Sequence, residues 1–161
     1  MAEAGEQRAR VEAAQPGKQP AGAKVRDYMT PAPETLDAQQ SLLEAVLLLR
    51  STGFRHIPIL EKGLLAGVLS ERDLWRYTPS MLIPTSAQEY NRVFEETQIG
   101  TVMTRNPTSI APDAPLLEAV ELLSQRKLGC LPVLEEGRLV GIITVRDMLR
   151  ALYHLLSQGS G

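Results

Sequence analysis

Two tetrapeptides in this chain end alike: Ser70-Glu71-Arg72-Asp73 and Thr144-Val145-Arg146-Asp147. Each sets a hydroxyl residue at the end of an apolar run, "LLAGVLS" or "LVGIIT", and an aspartate three positions later. If a strand ends at the hydroxyl and a helix starts behind it, the first N–H groups of that helix are unpaired and carry its positive dipole end. A phosphate placed there takes the hydroxyl and those donors. An aspartate in the first turn offers two oxygens that accept a pair of sugar hydroxyls. The same residues also make a sound helix cap, with the acid reaching back from the third helical position. The two roles are compatible. Arg72 and Arg146 read first as solvated helix residues, and their recurrence with the motif adds them to the candidate binding residues.

The elements that would hold these residues come from an internal repeat. Sliding the chain by 74 residues sets Met29 on Met103, "LLEAV" at 42–46 on 116–120, and Pro58 on Pro132, with no gap. Gly63 and Gly67 then fall on Gly137 and Gly141, and Arg72-Asp73 on Arg146-Asp147. Such self-similarity means one structural unit used twice. Each copy opens with a short extended piece, "PETL" or "PTSI", behind a Pro-containing segment that disfavours helix. A helix follows, over 41–52 and 115–126, with apolar residues on one broad face. Ser41 and Glu44 have capping-box spacing, and Pro115 suits a first helical turn. Two apolar runs come next, "HIPIL" with "LLAGVLS" and "CLPVL" with "LVGIIT", each pair joined at a glycine as in a hairpin. Pro58 and Pro132 lack an N–H and belong at a strand start or edge. A second helix begins after Ser70 or Thr144.

The unit is thus β-α-β-β-α, twice, an α+β arrangement. Neither copy can cover its own sheet face, so the two are expected to pack sheet to sheet. The expected organisation is an unstructured tail over 1–23, a first repeat over 24–78 and a linker over 79–98. A second repeat over 99–156 and a loose tail over 157–161 complete it. Ser86 and Glu89 predict a capped helix inside the linker.

Composition excludes several function classes. Net charge is −2, so no basic footprint for nucleic acid is present. One cysteine, Cys130, cannot close an internal disulfide, and no apolar run is long enough to span a bilayer; a cytoplasmic protein is expected. His56, His154 and Cys130 lack metal-ligand spacing. Cys130 reads as an inert core thiol, Trp75 as a packing or interface residue, and Met29 and Met103 as packing at the start of each repeat.

Paired units with a leading "MT", an "LLEAV" helix, a "G-x-x-x-x-P-h-h" strand and an "h-G-h-h-[ST]-x-x-D" close resemble tandem CBS domains, the Bateman module named after cystathionine β-synthase. The resemblance covers residues 24–155. It implies two repeats about a pseudo-two-fold axis, with up to two sites between them for adenine nucleotides or adenosyl ligands such as AMP, ADP, ATP or S-adenosylmethionine. It implies that Asp73 and Asp147 hold ribose, while Ser70 and Thr144 stand near phosphate. Ile57, Pro58, Leu131 and Pro132 would sandwich adenine, and Arg55 and His56 stand where such sites place basic residues. Their counterparts Gly129 and Cys130 carry no positive charge, although Arg126 and Lys127 are close in sequence, so the two sites are expected to differ. Read without that resemblance, Arg55 is a solvated charge and His56 a half-buried strand histidine.

The resemblance further implies a stand-alone pair with no catalytic cofactor, a disc-like homodimer formed through the helices, and a regulated partner. Two functions from different classes follow: a regulatory module sensing an adenine ligand, and a ligand-independent dimerisation or scaffold module in which the two motifs serve as caps. An enzyme is disfavoured, because no nucleophile–base pair, metal cluster or phosphate-cradling glycine loop is present.

Overall fold

A computed structural model describes residues 22–77 and 86–158. Most of the expected N-terminal tail, the start of the linker and residues 159–161 lie outside the described residues. The first repeat contributes α1 (Val25–Tyr28), β1 (Thr30–Pro31), β2 (Leu36–Asp37), α2 (Leu42–Thr52), β3 (His56–Glu61), β4 (Leu64–Ser70) and α3 (Glu71–Tyr77). Helix α4 (Ala87–Glu96) precedes a 3₁₀ turn at Ile99–Thr101. Then come β5 (Thr104–Arg105), α5 (Leu116–Gln125), β6 (Cys130–Glu135), β7 (Arg138–Thr144) and α6 (Val145–Gln158).

Local chemistry explains the boundaries. Ser41 caps α2 through a reciprocal box: its N–H donates to Glu44 Oε2 at 2.8 Å, and the Glu44 N–H donates to its hydroxyl at 3.3 Å. Ser86 and Glu89 repeat that device at α4. Pro115 occupies the cap position of α5, one residue before the helix. The hairpins β3–β4 and β6–β7 turn at Lys62-Gly63 and Glu136-Gly137, with positive φ at both central residues, as a right-twisted ribbon requires. Pro58 and Pro132 are the third residues of their strands, inside rather than at the start. Strand β2 pairs with β3 only from Ile59 onward, so the missing N–H of Pro58 faces no partner strand.

The two repeats exchange their leading segments. The first sheet runs β2-β3-β4-β5 and takes β5 from the second repeat; the second runs β1-β7-β6 and takes β1 from the first. Met103 lies on Gly67, where an added Cβ would sit 2.6 Å from its sulfur; Met29 lies on Gly141, where the distance would be 2.5 Å. Those glycines recur because only a hydrogen leaves room for the incoming segment. The first N–H of α2 donates to Thr97 and that of α5 to Ala23, both carbonyls of the exchanged segments. Each sheet covers its own helices with an aliphatic core: Leu42, Ala45, Ile57, Ile59 and Leu69 in one, Leu116, Ala119, Leu131, Val133 and Ile143 in the other. Tyr28 joins the second core and Phe94 the first. The opposite sheet faces meet through β4 and β7, where Val68, Cys130 and Ile142 cluster.

Candidate functional site

The strand-to-helix junctions after Ser70 and Thr144 hold the two motifs. At the first, the Ser70 N–H and hydroxyl donate to Asp73 Oδ2 at 2.8 and 2.7 Å, and the Asp73 N–H donates back to the hydroxyl at 3.1 Å. The cap is complete and uses one carboxylate oxygen. The other, Oδ1, has no hydrogen-bond partner among the described residues, and Asp73 is part-exposed. His56 stands opposite Ser70 in the β3–β4 ladder. Its ring crosses to the second repeat and lies on Gly129, where an added Cβ would come within 2.4 Å of Nε2. Burial pushes the His56 imidazole below its ordinary value of 6.5; the Asp73 carboxylate opposes this, and Arg55 and Arg72 add to it. Arg55, Arg72 and Asp73 therefore all lie near enough to His56 to act on it at a single junction. Both arginines are exposed, and the Arg55 carbonyl accepts the first N–H of α3 at 2.9 Å.

The second junction repeats the two bonds from the hydroxyl residue to the aspartate but not the surroundings. The Thr144 N–H and hydroxyl donate to Asp147 Oδ2 at 2.8 and 3.1 Å. Asp147 is buried, 7% exposed, and its Oδ1 faces the Arg150 guanidinium at 3.3 Å. Burial pushes its carboxyl above the usual range, against the Thr144 bonds, Arg150 and Arg146. Arg150 also donates to the Tyr28 carbonyl at 2.6 Å and lies over the Tyr28 ring, 5.7 Å from its centre, while its buried Nε has no hydrogen-bond partner among the described residues. Arg146 is exposed. No side chain corresponds to His56, because its counterpart Cys130 turns into the inter-sheet cluster; burial pushes that thiol up to about 12.

Several expected contacts fall elsewhere. Ile57 and Leu131 do not wall a cleft: they point to the helix side of their sheets and are 1% and 0% exposed. The alternation of a strand sends them to the face opposite Pro58 and Pro132. Those prolines face the other way and are themselves fully buried. Arg126 donates to Thr108 at 3.1 Å on the surface, and Lys127 occupies the left-handed region at φ 53°. Trp75 is exposed. Tyr28 and Arg150 were not candidates from sequence. A separate hollow of about 590 Å³ lies by Asp37, Glu61, Gly100 and Arg105, at the hairpin end of β3 away from His56. Among the described residues no group of His, Cys, Asp and Glu could hold a metal ion, and no helix is long and apolar enough to cross a membrane.

Comparison with known proteins agrees with this architecture. The CBS domain profile matches residues 25–74 and again 99–154. A CBS domain-containing protein of Bacillus subtilis, YhcV, is 30% identical over 124 residues, 77% of this chain and 81% of its own. CBSX2 in complex with AMP superposes with a TM-score of 0.72 at 26% identity, covering 84% of this chain and 99% of the other; the CBS-pair protein CBSX2 from Arabidopsis thaliana gives 0.69 at 26% identity, covering 84% and 98%. The domain pair of MJ0100 with 5′-methylthioadenosine and S-adenosyl-L-methionine gives 0.67 at 25% identity, covering 82% and 97%. With two copies of the profile spanning most of its length, this chain belongs to the CBS domain family.

Proposed function

We propose that the chain is a non-catalytic regulatory module: it takes an adenine nucleotide or related adenosyl ligand between its repeats and passes the change to a partner protein or across a homodimer. One observation carries this reading. At the start of β3 the His56 ring lies on Gly129 of the other repeat, with Arg55, Arg72 and the Asp73 carboxylate, one oxygen of it open, near enough to act on that ring. A carboxylate in that position accepts both ribose hydroxyls, and the basic groups beside it suit a phosphate. The AMP of CBSX2 and the adenosyl compounds of MJ0100 support the ligand class. Binding shifts a conformation only through different affinity for two states, so the signal needs a partner or a bistable dimer. Helix α6 exposes Leu149, Leu152 and Leu156 along one stripe, beside Leu117 and Val120 of α5, and a second copy is the occupant that fits a homodimer of the family kind. A cytoplasmic setting, where adenine nucleotides abound, belongs to the same proposal.

Thermal unfolding against AMP, ADP, ATP, GMP and S-adenosylmethionine tests it. A ligand that binds only the folded chain adds about 2.7 kcal/mol at a hundred times its dissociation constant, enough to raise the midpoint by several degrees. Asp73→Ala should remove the rise. No rise with any ligand leaves the second reading, a scaffold module in which Ser70 and Asp73 serve only as the cap they form.

A further inference from the structure

The two junctions are related by the repeat yet differ in whether their aspartate is open. Asp147 has both carboxylate oxygens engaged: Oδ2 by Thr144, Oδ1 by Arg150. Arg150 is itself pinned, donating to the Tyr28 carbonyl at 2.6 Å and lying over the Tyr28 ring. Tyr28 is 4% exposed, and its hydroxyl meets His154 Nδ1 at 3.1 Å, so the chain of contacts ends in the second core. The first repeat has the arginine but not the anchor. Arg76 stands at the position of Arg150, and Val102 at that of Tyr28. Arg76 is exposed, and Asp73 keeps an oxygen without a partner among the described residues. The cleft itself is unequal in the same sense: the His56 ring crosses from the first repeat and fills the space over Gly129, beside the start of the second junction.

We infer that Tyr28 and Arg150 close the Thr144–Asp147 half of the cleft, so that the chain takes one adenosyl ligand, not two, and takes it at Asp73. The inference rests on the adenine-ligand reading and adds to it the number and place of ligands. For Asp147, only 7% exposed, to accept both ribose hydroxyls, it must be uncovered and Oδ1 must be shared with or taken from Arg150, which disturbs the place of Arg150 over Tyr28. That step opposes binding at one half only. Tyr28 and Arg150 are positioning residues here: they act on ligand number through Asp147, without touching the ligand.

Isothermal titration with AMP, ADP, ATP and S-adenosylmethionine, each against wild type, Asp73→Asn and Asp147→Asn, tests this. Asparagine keeps the shape and much of the cap, and matched thermal midpoints show that each variant is folded. The expected result is one ligand per chain, weakened about tenfold or more by Asp73→Asn and changed less than about twofold by Asp147→Asn, since losing a charged hydrogen-bond acceptor costs at least a decade in affinity. Two ligands per chain, or an Asp147→Asn effect as large as that of Asp73→Asn, overturns the inference. If no adenine ligand binds wild type, the proposed function itself fails, and the closure is judged without ligand. Carbon-13 NMR of the aspartate carboxyls must then show the Asp147 resonance moving in Arg150→Met while that of Asp73 stays. An Asp147 signal indifferent to Arg150 overturns the closure.

Discussion

His56 lies across the two repeats at the candidate site, and its burial there governs its titration. The unfolded chain takes up a proton there near pH 6.5, while the folded imidazole, held down chiefly by burial, takes it up only at lower pH. Its contribution to stability is therefore intact above 6.5 and lost as pH falls from 6.5 toward the folded value. Thermal midpoints measured between about pH 7.5 and 5 should fall more steeply for wild type than for His56→Gln. Equal slopes would mean that the ring is not desolvated. Asp147 shifts the other way. A carboxyl pushed up by burial loses stability as pH rises from the unfolded value toward the folded one, so the neutral Asp147→Asn should be tolerated, within about 1 kcal/mol by urea unfolding. A loss of several kcal/mol would show that the Asp147–Arg150 pair, not the cap alone, holds the second junction together.

At the scale of elements, the repeat told most of what the fold needed. The capping boxes at Ser41 and Ser86, the hairpins at Gly63 and Gly137, and the junctions at Ser70 and Thr144 all follow from local chemistry written in a few adjacent residues. Exchange of the leading segments did not. Whether Met29 lies on Gly67 or Gly141 is a choice between two equal surfaces, and nothing local to the methionine decides it. The burial of Ile57 was open to the same ambiguity, because both faces of a strand covered on two sides are apolar. Tyr28 and Arg150 left a trace that pairwise reading of the repeat could have used: Arg150 matches Arg76, but Tyr28 matches Val102. Two substitutions test the element scale. Gly67→Ala places a methyl 2.7 Å from the Thr104 carbonyl, a backbone atom that cannot turn aside, and should cost about 1–3 kcal/mol in urea unfolding. Ser70→Ala removes the cap of α3 and should cost about 0.5–2 kcal/mol. An unchanged Gly67→Ala would place β5 elsewhere than on β4.

At the scale of the molecule, each repeat lends the other its leading strand and helix, and His56 reaches across between them. The halves cannot rotate independently without breaking β1 from β7 and β5 from β4. A ligand between them is therefore expected to act on the outer helices as one body. In the proposed homodimer the exposed stripe of Leu149, Leu152 and Leu156 is the surface that would carry such a change to a second copy. Sedimentation of wild type should give a dimer and that of Leu149→Glu/Leu156→Glu a monomer with an unchanged circular dichroism spectrum. A wild-type monomer would remove the dimer from the account. The central claim is that an adenine ligand sits between the repeats with its ribose on Asp73. A crystal structure of the chain with the adenine ligand that most raises its thermal midpoint tests that most directly. The ribose hydroxyls should lie within hydrogen-bond distance of the Asp73 carboxylate, and the phosphate or its equivalent beside Arg55 and His56. A ligand bound at Asp147, or outside the cleft altogether, would contradict it.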